Sequence, residues 1–414
     1  MDLVARLLLA TIVGLIIYTY AGYPVVLAVA SIFRRRHSRR TGGGLPTVAL
    51  IISAHNEERI IRDKIENSLK LDYPKELLRI IVASDGSIDD TDGIVREYES
   101  VYGVTLKSFD RREGKSATLN KAVLGVEEDI LVFSDANAFY REDAIRKLVR
   151  NFDEDDVGCV VGKLVYMDSE SYVGKGESIY WRYEGVLNRL ESRLKSVLVA
   201  TGTIFAIRRD LFRPVMKDVA NDFQTPAEIA SQGYGIVYEG EAVAFERSAY
   251  FFTEEFGRKR RIVIRGLTGF NHLRNAFGGR FRIFQFISRK MLRWWVGPML
   301  IAVYALNMAL LRDPVFYTFF LLQNAFYIFA VIGAFLRRGR IRSRIFLIPF
   351  YFVMVNAAAL FAIVTYVFGG RFSEWEKAET TRDMEERQPE TPRLRVIEGK
   401  KKISKNLEKL NKIT

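Results

Sequence analysis

The stretch "TVALIISAHNEE", residues 47–58, decides the fold class: a short run rich in β-branched residues ends abruptly in polar ones. A run that is apolar on both faces suits a strand covered on both sides, as in a parallel sheet sandwiched by helices. The next segment, "NEERIIRDKIENSLKL" (56–71), carries Ile60, Ile61, Ile65, Leu69 and Leu71 on a helical pattern. The alternation then repeats. Strands are predicted at "LRIIVAS" (78–84), "VTLKSF" (104–109) and "DILVFS" (129–134), with helices over roughly 90–100, 115–125 and 141–151. Strand–helix alternation from about 47 to 250 predicts a parallel α/β sheet. Right-handed crossovers then place the loops after each strand along one edge, where open α/β sheets bind ligands.

The flanks are of another kind. Residues 3–33 form an apolar run broken only by Arg6 and followed by "RRRHSRR" (34–40). About 20 such residues cross a hydrocarbon core. The run is too long for a signal peptide, and its basic flank predicts a retained helix with the following residues in the cytosol. Residues 256–295 are basic and aromatic and read as helices lying in the membrane interface. Trp294 and Trp295 read as part of an interfacial aromatic belt. Apolar runs follow at 296–311, 315–336 and 345–368, with the polar turn Arg312-Asp313-Pro314 between the first two. The Arg-rich loop 337–344 favours the cytosol, which exports the charged tail unless one run is re-entrant.

The expected organisation is a transmembrane helix at 1–33, an α/β domain at 45–255, interfacial helices at 256–295, about three transmembrane helices at 296–368 and a charged tail at 371–414.

The formal charge of +13 does not point to nucleic acid, because the Lys/Arg clusters lie beside the apolar runs. The single cysteine, Cys159, excludes an intrachain disulfide and a cysteine zinc cage. Three histidines, at 37, 55 and 272, argue against a His-rich metal site.

Three motifs fall at the predicted sheet edge. "SDGSIDD" (84–90) ends the second strand, with Asp85 placed to accept from a base or ribose, or simply to make a turn. "REGKSATLNKA" (112–122) sets Lys115 behind Gly114 at a helix start, where a diphosphate could sit, without the spacing of a phosphate loop. "SDANA" (134–138) offers Asp135 and Asn137, two oxygen donors suited to a hard divalent cation. Beyond them, Asp222 in "NDFQTP" (221–226) reads locally as a helix N-cap.

In order, "SAHNEE", "SDGSIDD", "EGKSATLN", "FSDAN", "TGTIFAIRRD" and "NDFQTPAEIASQGYGIVYEGEAVAFE" resemble the successive motifs of family 2 glycosyltransferases, over roughly residues 45–270. These are membrane-bound inverting enzymes with a GT-A (Rossmann-like) α/β fold. The layout of one helix before the domain and several after resembles the synthases of chitin-like, hyaluronan-like and poly-N-acetylglucosamine polymers.

The resemblance implies transfer of a sugar from a nucleotide-sugar, a UDP-sugar first, to a growing polysaccharide or lipid-linked acceptor. It implies that Ala54, Asn56 and Glu57 line the donor nucleotide and that Asp85 meets the base. Lys115, Arg258 and Arg261 would meet the diphosphate. Asp135 and Asn137 would bind donor and Mg2+ or Mn2+, while Thr201, Gly202 and Thr203 would lie under the acceptor. Asp222 would be the catalytic base, which moves the capping role to Thr225, with Pro226 at the first helical position.

Asn137 replaces the second aspartate of the family's D-x-D. Ile262 replaces the tryptophan of its Q-x-x-R-W, which favours a non-processive transfer to a lipid acceptor as an alternative. A catalytically inactive nucleotide-sugar-binding assembly subunit is the alternative from another class. The implied setting is a multi-pass plasma-membrane protein with its catalytic domain in the cytoplasm, partnered by membrane lipids and not by nucleic acid. "WEKAETTR" (375–382) resembles a tail motif of related enzymes.

Overall fold

The computed structural model describes residues 2–32, 44–167, 172–247, 252–273, 277–336 and 343–370. The "WEKAETTR" segment lies outside them.

One mixed sheet organises residues 48–246. Its strands are β1 (Val48–Ala54), β2 (Leu78–Asp85), β3 (Thr105–Phe109), β4 (Ile130–Asp135), β5 (Phe139–Tyr140), β6 (Val157–Tyr166), β7 (Ile204–Arg208) and β8 (Gly235–Glu246). Their order is β3-β2-β1-β4-β7-β6-β8-β5. The four strands expected from the sequence are all present and parallel to one another. The sheet as a whole is not parallel, because β7 runs antiparallel to both β4 and β6. Every residue of β1 is buried, as its unbroken apolar run requires for a central strand.

Helices α3 (Ile61–Leu69), α4 (Thr91–Tyr102), α5 (Lys115–Val123) and α6 (Ala144–Val149) follow β1, β2, β3 and β5. One core packs Val48, Leu50 and Ile52 with Ile61, Ile65, Ile94 and Val95. A second, on the opposite sheet face, packs Ala49 and Ile51 with Leu119 and Ala122. The helices therefore fix the strands without covering their C-terminal tips. Helix α7 (Tyr172–Arg193) lies between β6 and β7, and α8 (Asn221–Ser231) between β7 and β8.

The N-terminal α1 (Asp2–Ile17) and α2 (Tyr23–Ile32) are joined by a π-helical turn, Tyr18–Gly22. After the sheet come α9 (Phe252–Leu273), α10 (Arg280–Phe286), a π-helical turn Ile287–Met291, α11 (Leu292–Ala309), α12 (Pro314–Leu336) and α13 (Arg344–Val367). Three of these segments are long and apolar enough to cross a membrane: Asp2–Ile32, Pro314–Leu336 and Arg344–Val367. Helix α11, the first expected C-terminal crossing, is not among them. An ion pair of 3.0 Å joins Arg6 to Asp313, so the α11–α12 turn sits level with the N-terminal end of α1. Half of the apolar window of α13 is buried inside the protein, against 6% for the N-terminal helix. Ala359 and Ala362 of α13 pack with Val263 and Ile264 of α9 and with Trp294.

Candidate active site

The parallel register levels the strand tips. Ser53 lies opposite Asp135, Ala54 opposite Ser84, and Asp85 opposite Phe109. The loops beyond these tips hold one another. Asn56 takes a left-handed backbone, φ 51°, which asparagine tolerates better than most residues. Its N–H donates to Ser87 Oγ at 3.0 Å, and its Oδ1 accepts the Ile88 N–H at 2.8 Å. Glu57 is 1% exposed and donates its N–H to Thr91 Oγ1 at 2.7 Å. That bond braces the loop from within.

Asp85 organises the next layer. Its Oδ1 accepts the N–H of Glu113 at 2.8 Å and its Oδ2 that of Gly114 at 2.9 Å. This bidentate grip fixes the start of α5, and each oxygen keeps a second lone pair for a ligand. The grip requires a close approach at Gly86, where φ is 59° and a Cβ would lie 2.6 Å from the Arg112 nitrogen. Lys115, the first residue of α5, thereby reaches Asp135 at the tip of β4 and pairs with it. The electrostatic partner expected for a diphosphate is thus held on the metal-type aspartate.

Asn137 donates from Nδ2 to Glu246 Oε1 at 2.8 Å. That bond leaves its Oδ1 as the free end of the amide, an oxygen of the kind hard cations accept. Among the described residues no group of three or more His, Cys, Asp or Glu is arranged to hold a metal alone. Mg2+ and its like are usually held by one or two protein oxygens with water and phosphate completing the shell. The Lys115 ammonium on Asp135 stands where such a cation would, so the donor set fits a phosphate-bridging ion.

Asp222 comes from the other side. Helix α8 starts at Asn221, with Ala220 in the cap position, and Pro226 lies inside the helix. The expectation that Thr225 caps and Pro226 opens this helix is therefore corrected: Thr225 is buried and its Oγ1 has no hydrogen-bond partner among the described residues. The proline still matters. It has no N–H to give Asp222 four residues back, so the Asp222 carbonyl accepts the Ala200 N–H instead, at 2.8 Å. This bond ties Asp222 to the "TGT" strip. A Cβ on Gly202 would lie 3.2 Å from Asp222 Oδ2. Thr201 Oγ1 donates to the Gly162 carbonyl at 3.3 Å, and the buried Thr203 Oγ1 has no partner among the described residues.

The Asp222 side chain is half-buried and makes no hydrogen bond or ion pair among the described residues. Burial raises its carboxyl above the usual value. The charges of Lys115 and Arg265 oppose that rise, Asp135 adds to it, and Lys290 opposes it more weakly.

The basic stretch of α9 divides. Arg258 is held by Glu255 Oε2 and Tyr166 Oη, at 2.8 and 2.9 Å, and Arg261 lies one turn further along, half-buried. Arg265 donates to the Val219 carbonyl at 2.9 Å and is the α9 cation whose charge reaches Asp222. Ile262, at the position of the missing tryptophan, is 47% exposed. Trp294 is not part of a belt: it is buried on Gly266, where a Cβ would meet its Cη2 at 2.4 Å, while Trp295 stays exposed. Glu246, Arg265 and Lys290 were not singled out from the sequence. Glu246 closes the last motif, whereas the two cations lie in a stretch dense with others, where nothing local marks them.

Residues 49–215 match the family model "Glycosyl transferase family 2". The probable glycosyltransferase YdaM of Bacillus subtilis is 31% identical over 220 residues, 49% of this chain and 51% of that protein. Beta-monoglucosyldiacylglycerol synthase of Nostoc sp. is 29% identical over 147 residues, 34% of this chain and 31% of the synthase. Poly-beta-1,6-N-acetyl-D-glucosamine synthase of Staphylococcus epidermidis is 22% identical over 204 residues, 48% of this chain and 49% of the synthase. The chain thus spans about half or less of the length of these relatives. The mannosyltransferase PcManGT of Pyrobaculum calidifontis, solved with GDP-Man and Mn2+, shares the fold. Its TM-score is 0.62 at 20% identity, over 87% of this chain and 99% of that one.

Proposed function

We propose, from the family 2 glycosyltransferase domain that residues 49–215 form, that the chain is an inverting glycosyltransferase acting at a membrane, with a nucleotide-sugar donor and a hydroxyl acceptor. The observation that carries this reading is the Asp222 carboxylate, unpartnered and set against Gly202 beside the sheet edge.

The acceptor oxygen forms a bond to the anomeric carbon as the bond from that carbon to the diphosphate breaks. The nucleoside diphosphate leaves with the electron pair, and the acceptor proton passes to Asp222. Positioned proton transfer of this kind is worth roughly 100- to 10,000-fold. Lys115 stabilises the diphosphate as negative charge gathers on it. Asp135 and Asn137 would hold Mg2+ or Mn2+, which when bound neutralises the same charge. Asp85 accepts from the base. Its carboxylate suits the N3–H of uracil, so the donor is assigned as a UDP-sugar. It would also suit guanine, which makes a GDP-sugar the competitor. Ala54 and Asn56 wall the nucleotide, Arg258 and Arg261 flank the diphosphate, and Thr201 to Thr203 underlie the acceptor. The α/β domain ends near 255, the interfacial helices near 295, and the catalytic domain faces the cytoplasm of a multi-pass plasma-membrane protein.

The test is to incubate the detergent-solubilised protein with radiolabelled UDP- and GDP-sugars and Mg2+ or Mn2+, and to separate lipid-soluble from polymeric product. Transfer that disappears in Asp222→Asn supports the reading. Tight donor binding without turnover for any donor sinks it and favours the inactive assembly subunit.

A further inference from the structure

Around Glu184 and Glu191 of α7 the described residues bring more positive than negative charge. Arg289 pairs with both carboxylates, at 2.6 Å from Glu184, and Arg293 also pairs with Glu184. Lys290 Nζ lies 3.7 Å from the same Glu184 and makes no hydrogen bond among the described residues. Tyr23 takes a further lone pair of Glu191 at 2.6 Å. Arg282, also buried, gives its terminal nitrogens to the carbonyls of Val197 and Leu198 at 3.3 Å. Three cations therefore share two carboxylates, and the fourth, Arg282, meets only carbonyls. Buried charge is costly unless paired, and an excess of one sign calls for a counter-ion.

Several of these buried cations, and Arg265 of α9, keep unused donors among the described residues. Among the described residues Arg293, 8% exposed, has no hydrogen-bond partner for Nε or Nη2, and Arg265 has none for Nε. Burial pulls the Lys290 ammonium down to about 8 despite Glu184, as a cation short of its counter-ion should behave. Arg265 and Lys290 are the two whose charges reach Asp222 from the helices, in contrast to Lys115, which reaches it from the sheet edge. Their places are fixed together. Trp294, one turn beyond Lys290, packs on Gly266, the neighbour of Arg265. Lys290 itself stands on a π-helical turn, a distortion that is frequent at functional sites. The same turn starts at Ile287, which with Arg280, Ile283 and Phe284 lines an apolar groove of about 310 Å³.

We propose that the acceptor is a membrane lipid carrying both a free hydroxyl and a phosphate ester, the hydroxyl presented to Asp222 and the phosphate held by Lys290 and Arg265. This rests on the reading of Asp222 as the base. The hydroxyl oxygen forms the glycosidic bond, its proton goes to Asp222, and the nucleoside diphosphate departs; the lipid phosphate keeps all its bonds. The apolar groove beside the π-turn takes part of the acyl chain.

The probe is dihexanoyl phosphatidylglycerol, with dihexanoylglycerol as its phosphate-free counterpart, bound to the full-length protein in detergent by calorimetry. Phosphatidylglycerol is expected to bind about tenfold tighter or more. Lys290→Met and Arg265→Gln are each expected to remove about tenfold of that preference, a factor worth ~1.4 kcal/mol. Lys290→Arg is expected to keep it, which separates lost charge from lost folding. With donor present, the bound phosphatidylglycerol is expected to be recovered carrying a sugar. Equal binding of the two lipids, or an unchanged preference in Lys290→Met, overturns the proposal. Phosphate-selective binding without glycosylation, in a protein that transfers sugar to something else, identifies a headgroup anchor and also overturns it. Failure to turn over any donor counts against the transferase reading, and the binding comparison then still decides the anion site.

Discussion

The sheet edge and the helices α8 to α11 treat charge in opposite ways. At the sheet edge each acid is already answered: Asp85 by two backbone N–H groups, Asp135 by Lys115, and Glu246 by Asn137. On the helical side, among the described residues, Asp222 makes no pair, and Arg265 and Arg293 keep unused nitrogens. The first arrangement is preorganised and holds its shape without a ligand. The second leaves desolvated charge waiting, which costs stability and is characteristic of groups that act on a substrate. The difference teaches where chemistry and where mere positioning should be sought.

The strongest way to break that contrast is Asp222→Asn. Loss of the proposed base is expected to lower kcat for transfer by roughly 100- to 10,000-fold while donor binding persists, measured by initial rates and nucleotide titration. A base must be ionised to act, so under the proposed role kcat/KM should fall on acidification through the raised pKa of Asp222, at a pH above the ordinary 3.8. A rate that is insensitive to the substitution would move the chemistry to the sheet edge.

Asp135→Asn attacks the preorganised half. It is expected to cut Mn2+- or Mg2+-dependent donor affinity on the order of tenfold to a hundredfold, and EDTA should have little further effect on the variant. Glu246→Ala tests a supporting partner: freed from its acceptor, Asn137 can turn its amide, and donor affinity should fall by about tenfold.

The smallest expected effect is on stability, and its sign is opposite to that on rate. Burial raises the Asp222 carboxyl, so near neutral pH the ionised side chain is less favourable folded than unfolded. Asp222→Asn should therefore raise the melting temperature at neutral pH, on the order of 2 °C. On acidification the folded wild type takes up its proton before the unfolded chain does. The gap should therefore narrow through the raised pKa and close below the ordinary 3.8. A lower melting temperature for the variant would mean that Asp222 is a structural acid after all.

The half-sheet at β1 to β4 was legible because its strands are apolar on both faces and end at turn residues, which fixes where Asp85 and Asp135 must fall. Strands β6 and β8 were not predicted; both carry glycines inside the strand, which weaken a strand pattern in sequence. In the fold those glycines answer to packing. A Cβ on Gly158 would lie 2.7 Å from Ile229 and Leu211, and one on Gly162 would lie 2.8 Å from Ile204. Pro226 misled in the same way, since a proline six residues into α8 is tolerable only because Ala200 takes over the freed carbonyl of Asp222.

By itself, then, the sequence determined the strand–helix rhythm, the strand-tip motifs and the apolar ends, because each depends on spacing within a few residues. Only the tertiary structure decided the mixed order of the sheet, the grip of Asp85 on α5, and which of many cations faces Asp222. Those are contacts between segments far apart in the chain, and an arginine at 258 or 265 carries the same local signature until the Tyr166 hydroxyl or the Val219 carbonyl tells them apart.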